Sequence, residues 1–253
     1  ALRMVKKNHF ENADLAASLQ MSMEAVIVEF IESKLKQYGL RRLAVAGGLF
    51  ANVSLNGQIA AMGLDEFSVA PAMTDQGLCA GAAFVVSGFQ HEESAPDMKL
   101  GTALKAAHSS PYEVAELLAR GRFIGLARGP MEFGPRALTN RSILFDPRRP
   151  DLAEVLQKKL NRSPFMPFAP ILNAQRWDQV FSVDRHGIER ATQEMTVALP
   201  TRKEFRNMAP VAVHVDGSAR PQAIDILHDP WMVEVLEHFY AKTGCPALIN
   251  TSF

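Results

Sequence analysis

The chain has 253 residues, with 27 Lys plus Arg against 27 Asp plus Glu, a hydrophobic content of 47% and 21% charged residues. That balance suits a soluble globular protein large enough for one or two cores, and gives no overall field to hold RNA or an anionic membrane. Cys79 and Cys245 form no CxxC pair, so neither a disulfide framework nor a zinc finger is expected, and a reducing cytoplasm fits.

The longest apolar run, Gly77 to Val86, is too short to span a bilayer, and residues 1–10 lack the apolar core of a signal peptide. The first residue is Ala rather than Met, and the last three follow directly on an apolar run, so the chain reads as a fragment.

In chain order, Leu15, Leu19, Met23, Val26, Ile27, Phe30, Ile31 and Leu35 recur at helical spacing. They predict a helix over 12–38, with Asn12 as its cap and Gly39 as its stop. A strand at Leu43–Ala46, a helix at 52–62, a strand at 67–70 and a small-residue helix at 74–86 follow. Residues 91–110 are polar and aperiodic and form the expected linker. Beyond it the reading is a helix at 111–119, strands at 123–127 and 143–145, and a helix at 152–160. Strands are then expected near Ile171, Val197 and 211–215, with a helix at 230–242 and a closing strand at 246–250. The fold class is α/β: two units, 1–90 and 111–253, joined by one linker.

Six segments carry chemistry. In LAVAGGLFANVSLN, Gly47 and Gly48 let backbone approach a ligand where a helix begins, with Asn52 beside them; on these residues alone a ligand-free tight turn is the favoured reading, because a Gly pair after a strand is common. Asp75 precedes a Gly/Ala-rich helix, as an N-cap or as a carboxylate ligand to a metal. Residues 120–149 hold seven arginines against Glu132 and Asp146, a local charge of +5, with Phe133, Leu138, Ile143 and Leu144 interleaved. That pattern predicts an anion pocket, with Arg136 and Arg141 next to the Gly134-Pro135 turn, because guanidinium matches phosphate oxygens bidentately. The run NRSPFMPFAP fixes an extended path beside Arg162. VHVDGSARPQ reads as a hairpin about Asp216-Gly217 that gathers His214, Asp216 and Arg220. Finally, ALINTSF places Asn250, Thr251 and Ser252 at a strand end.

In this order the motifs AGGLFANVSLNG, GPRALTNRSIL, PFMPFAP, HVDGSARPQ and LINTSF resemble the O-carbamoyltransferases, the family of nodulation protein U and the cephamycin and tobramycin enzymes. The likeness spans nearly the whole chain. It implies that residues 1–90 are the last segment of an actin/Hsp70-like (ASKHA) carbamoyl-transfer module. Residues 111–253 would be a threonylcarbamoyl-adenylate-synthase-like (YrdC-like) domain with a twisted sheet.

The resemblance further implies ATP and carbamoyl phosphate as substrates, carbamoyl-adenylate as intermediate, and a small-molecule hydroxyl as acceptor. Iron or another divalent metal would serve the full-length protein, with nucleic acid and membrane not involved. By matching position it places Gly47, Gly48 and Asn52 at the nucleotide turn and Asp75 at the metal. Arg136, Arg141, Arg162, Arg220, Asn250 and Ser252 fall at the carbamoyl phosphate and adenylate pocket, and His214 is counted among the cofactor-binding residues.

Three positions depart from the family pattern: Thr139 for glycine, Leu160 for a lysine, and Met166 for an arginine. The family's N-terminal histidine ligands are absent, so tight metal binding by this chain is not expected; the rest of that module would come from its own longer chain. Other readings are a non-catalytic nucleotide or carbamoyl phosphate sensor, and tRNA threonylcarbamoylation, which the zero net charge disfavours. Hydrogenase maturation would require paired CxxC motifs. Acceptor identity and oligomeric state are not legible.

Overall fold

The computed structural model describes residues 11–88, 99, 101–104, 109–163 and 167–253. Most of the linker expected at 91–110 therefore lies outside the described residues, as does Met166. Helix α1 (Asn12–Tyr38) ends where Gly39 turns left-handed at φ 65 and donates its N–H back to Lys36. Glu11, rather than Asn12, occupies the cap position, with no side-chain cap bond. The predicted apolar stripe is only partly covered: Ile31 is buried, whereas Leu19, Val26 and Phe30 are exposed.

Strands β1 (Arg42–Val45) and β2 (Glu66–Val69) pair in parallel, joined through helix α2 (Val53–Ala60). Helix α3 (Leu78–Ser87) follows a separate 3-10 turn at Asp75–Gly77, so the helix predicted over 74–86 is divided.

From residue 111 onward lie α4 (Pro111–Ala119), β3 (Ile124–Ala127), β4 (Arg141–Phe145), α5 (Pro150–Lys159) and β5 (Ala169–Asn173). Short elements follow: α6 (Trp177–Val180), α7 (Glu189–Gln193), β6 (Leu199–Pro200), α8 (Lys203–Met208), β7 (Ser218–Ala219) and β8 (Gln222–Ile224). Helix α9 (Pro230–Thr243) and strand β9 (Ala247–Thr251) complete the order. Five of these strands form one mixed sheet in the order β3-β4-β9-β5-β8, with only the β5–β8 pair parallel. The last strand in sequence is thus the middle strand in space. That position explains its composition, because all five residues of β9 are buried. Helices α4 and α9 pack against each other and the sheet, burying Val114, Ala115 and Leu118 opposite Met232, Leu236 and Phe239.

One predicted strand is absent. Residues 211–215 form a 3-10 turn at Pro210–Ala212 and then a loop, so the hairpin expected about Asp216-Gly217 does not form. Pro210 has no N–H for a ladder, and β7 pairs with β6 instead. The turn itself is real: His214 N–H donates to the Ser218 carbonyl at 2.7 Å.

The chain on either side of residues 91–110 shares one hydrophobic core. Phe67 N–H donates to Gly187 O at 2.6 Å, Ala198 N–H donates to Val53 O at 2.9 Å, and the buried Asn56 amide donates to Thr196 O at 2.7 Å. At Gly57 any Cβ would overlap the Ala198 carbonyl, so only glycine permits this approach.

A buried ionic clamp ties the arginine-rich stretch to α9. Asp229 caps that helix by accepting from Met232 N–H, receives both terminal nitrogens of Arg128, and accepts from the Thr139 hydroxyl at 3.0 Å. The Arg128 guanidinium also stacks on Trp231 at 4.8 Å. Asp229→Ala is expected to destabilise the fold by about 3 kcal/mol, because it strands a half-buried guanidinium and removes a helix cap. Urea unfolding would measure the loss; a shift in midpoint too small for about 1 kcal/mol would show that the clamp contributes little.

Candidate functional site

The arginine-rich stretch separates, in the fold, into supports and one free group. Arg120 pairs with Glu116, Arg128 with Asp229, Arg148 with Asp146 and Arg149 with Asp151, while Arg122 stays exposed. Arg141 donates to the carbonyls of Arg128, Gly129, Asn140 and Thr102. Its guanidinium is consumed in tying down loops, and it does not line the cavity described below, as the sequence reading had expected. Arg136 alone of the seven enters a ligand-sized hollow. Four of the seven arginines are therefore matched by acids, one of them the distant Asp229, and the cavity described below draws its other cations from elsewhere.

That hollow has a volume of about 330 Å³ and is lined by Arg136, Arg162 and Arg220, together with Asn250, Thr251 and Ser252 at the end of β9. Each arginine arrives by a different route. Arg136 follows the Gly134-Pro135 turn, where Gly134 takes φ 128 and a Cβ would press on the Pro71 carbonyl at 3.0 Å. Arg162 leaves the end of α5 past Asn161, itself left-handed at φ 48. It donates to the Thr251 hydroxyl at 2.7 Å and stacks on Phe168 at 4.6 Å. Arg220 sits between β7 and β8, the short strands that replace the expected hairpin.

No acidic side chain lines the cavity, and the Nε of all three arginines is buried without a hydrogen-bond partner among the described residues. Burial and the mutual repulsion of the three guanidiniums push Arg220 down to about 9. Burial, with Arg162 second, lowers Arg136; burial lowers Arg162. Buried cations without acidic side chains beside them are costly, and the arrangement is electrostatically complementary to an anion.

Glu132, which sequence reading passed over, shapes the loop that presents Arg136. One of its carboxylate oxygens accepts from the backbone N–H groups of Leu138, Asn140 and Arg141 at 2.6, 2.8 and 3.2 Å. The available signal was a lone acid inside an arginine run just before Gly-Pro. Thr139, in the same loop, occupies φ 77, a conformation that suits the glycine of the resembled family. Its hydroxyl bond to Asp229 helps hold that strained backbone in place. Two other lining residues, Met195 and Leu160, are apolar; Leu160 puts a hydrocarbon where the family pattern has a cation.

The remaining sequence candidates lie elsewhere. His214 borders a separate depression with Arg206 and Asp216, its Nδ1 lies 3.0 Å from the Ser218 hydroxyl, and burial lowers its pKa. Asn52 caps α2 by accepting from Leu55 N–H and exchanges two hydrogen bonds with Gln20, so its amide is spent on structure. Gly47 takes φ 108 and donates to Met73 O at 2.8 Å; the space above Gly47 and Gly48 is open. Asp75 is exposed on its 3-10 turn, and no group of three or more His, Cys, Asp or Glu capable of holding a metal occurs among the described residues. No helix among them is long and apolar enough to cross a membrane.

Comparison with known proteins identifies the family. Residues 1–84 match the carbamoyltransferase N-terminus model, and residues 115–253 match the carbamoyltransferase C-terminus model. Nodulation protein NolNO of Sinorhizobium fredii is 33% identical over 96% of this chain and 39% of its own length. Nodulation protein NolO of Bradyrhizobium diazoefficiens is 32% identical over 96% of the chain and 48% of its own length. An uncharacterised protein of Methanocaldococcus jannaschii is 32% identical over 98% and 44% respectively. The chain thus spans less than half the length of these relatives. By these matches, over both of its ends, the chain belongs to the carbamoyltransferase family.

Proposed function

We propose that the arginine cavity binds carbamoyl phosphate and ATP and forms carbamoyl-adenylate, from which the carbamoyl group passes to a hydroxyl of a small-molecule acceptor. One observation carries this reading: Arg136, Arg162 and Arg220 meet in one hollow that no acidic side chain lines. Water first cleaves carbamoyl phosphate to carbamate and phosphate; in the adenylating step a carbamate oxygen then attacks the α-phosphorus of ATP and pyrophosphate leaves. Negative charge gathers on the phosphoryl oxygens, and fixed guanidiniums stabilise it without covalent participation. Ser252 and the Thr251 hydroxyl, which already orients Arg162, supply neutral hydrogen-bonding groups at the same rim.

The proposal places this chemistry in the cytoplasm. It takes residues 111–253 as the YrdC-like adenylating domain and residues 1–90 as the closing segment of an ASKHA-like transfer module. Gly47 and Gly48 would serve the second nucleotide site. Asp75 would contribute one carboxylate to a site for iron or another divalent metal whose remaining ligands belong to the rest of that module, since no group of three candidate ligands occurs among the described residues.

A second reading has a specific observation in its favour. Leu160 lines the cavity where the family pattern has lysine, which leaves the hollow one cation short and suits a sensor that binds without turnover. Incubation with ATP and carbamoyl phosphate separates the two. Pyrophosphate release dependent on both substrates is expected; binding of carbamoyl phosphate with no pyrophosphate would make the chain a sensor.

A further inference from the structure

Residues 101–104 belong to the expected linker, yet they are pinned to the arginine-rich stretch. They run antiparallel to residues 129–131 as one more edge segment. Gly101 N–H donates to Met131 O at 2.9 Å, and Leu104 and Gly129 exchange backbone hydrogen bonds at 3.0 and 3.2 Å. The approach at Gly101 is close, because a Cβ there would lie 2.5 Å from the Cβ of Met131. Arg141 fastens the segment from the side. Its Nη2 donates to Thr102 O at 3.0 Å, while its Nη1 faces the carbonyls of Arg128, Gly129 and Asn140 at 2.8, 3.3 and 2.9 Å.

The stretch that this segment pairs with leads straight into the Arg136 loop. Glu132, next to Met131, accepts the N–H groups of Leu138, Asn140 and Arg141, and Gly134 lies against the Pro71 carbonyl. The Arg136 Nε has no partner among the described residues. Where its guanidinium sits is therefore set by the loop backbone. Two-pronged contacts to an anion are directional, so a displacement of about 1 Å forfeits much of their strength.

Resting on the anion-binding reading above, we propose that residues 101–104 are a strap that holds the Arg136 loop in its anion-gripping position, with Arg141 as the buckle. Arg141 is thus a positioning residue. It acts on a bound anion through Met131 and Glu132, without the ligand contact that its motif position suggests. With the strap seated, Arg136 is in place; with it lifted, the loop is loose and the cavity grips anions more weakly. Binding and seating favour one another, so each shifts the other by the same factor.

Two measurements on the chain test the proposal. In residue-resolved hydrogen exchange, saturating inorganic phosphate is expected to slow the Gly101 and Leu104 amides about tenfold. The Leu40 amide, bonded to Leu35 O at the end of α1, should exchange as before. In calorimetric titration, Gly101→Val should bind carbamoyl phosphate about tenfold more weakly, because the added side chain lifts the strap and leaves every arginine in the sequence. Arg141→Met keeps the apolar stem and should lose a similar factor. The double variant should be no weaker than the weaker single one, since both changes break one device.

Exchange at Gly101 and Leu104 that ignores phosphate, while calorimetry shows phosphate bound, would overturn the proposal without recourse to any variant. So would a Gly101→Val protein that binds like its parent. Losses that multiply in the double variant would also overturn it, and would return Arg141 to direct contact with the anion. If neither phosphate nor carbamoyl phosphate binds the unaltered chain, the anion-site reading itself falls and the strap falls with it.

Discussion

Arg136→Ala is expected to abolish pyrophosphate release and to weaken carbamoyl phosphate binding by about 100-fold or more, with the fold intact. The magnitude follows from losing one charge-assisted, two-pronged contact of about 3 kcal/mol. The fold should survive because Arg136 makes no hydrogen bond or ion pair among the described residues, and its loop is held by Glu132 and the Asp229 clamp. Removing it also relieves repulsion with Arg162 and Arg220. Titration calorimetry and a thermal melt on the same sample separate the two effects. Unchanged affinity would remove Arg136 from the site; a collapsed melt would show that the loop depends on it.

Arg220→Met should give the opposite signs for stability and binding. Methionine retains the length of the arginine stem and its apolar contacts but carries no charge, so the ligand-free protein should gain roughly 1–3 kcal/mol while anion binding disappears. The sign with pH is fixed by the direction of the shift. Burial and two neighbouring guanidiniums lower Arg220 to about 9, well below the usual arginine range. The cost of holding the buried cation is therefore present in full below about pH 9, and it is relieved as pH rises from there towards the unfolded value.

The stabilisation by Arg220→Met should accordingly be largest near neutrality and shrink above about pH 9. Saturating phosphate should narrow the gap at neutral pH, since it stabilises only the unaltered protein. Melting curves of both proteins from pH 7 to 10, with and without phosphate, measure this. A variant less stable than the parent at pH 7 would mean that Arg220 is a packing residue whose charge is already compensated.

The two arginine predictions also show where sequence reading succeeded and where it failed. Local density of charge pointed to residues 120–149, yet four arginines there are matched to Glu116, Asp146, Asp151 and Asp229, and Arg141 to backbone carbonyls. Of these acids, Asp229 lies 101 residues beyond its partner Arg128 and could not be paired by inspection. The single positions Arg162 and Arg220 carry no local density at all, and only their motifs marked them. His214 shared a motif with Arg220, but the expected hairpin gave way to a tight turn, and the two side chains border different hollows.

Periodicity and punctuation determined the long elements, because α1, α4 and α9 are set by local spacing, proline starts and glycine stops. Motif order was enough to identify the family. Tertiary structure alone decided that the final strand becomes the centre of the sheet, between β4 and β5. That placement puts Asn250, Thr251 and Ser252 against Arg136, Arg162 and Arg220. Strand order depends on pairings between residues far apart in the chain, and so does the balance of charge around each arginine. Neither leaves a trace in a window of neighbouring residues, which is why the members of the site were readable one by one and their convergence was not.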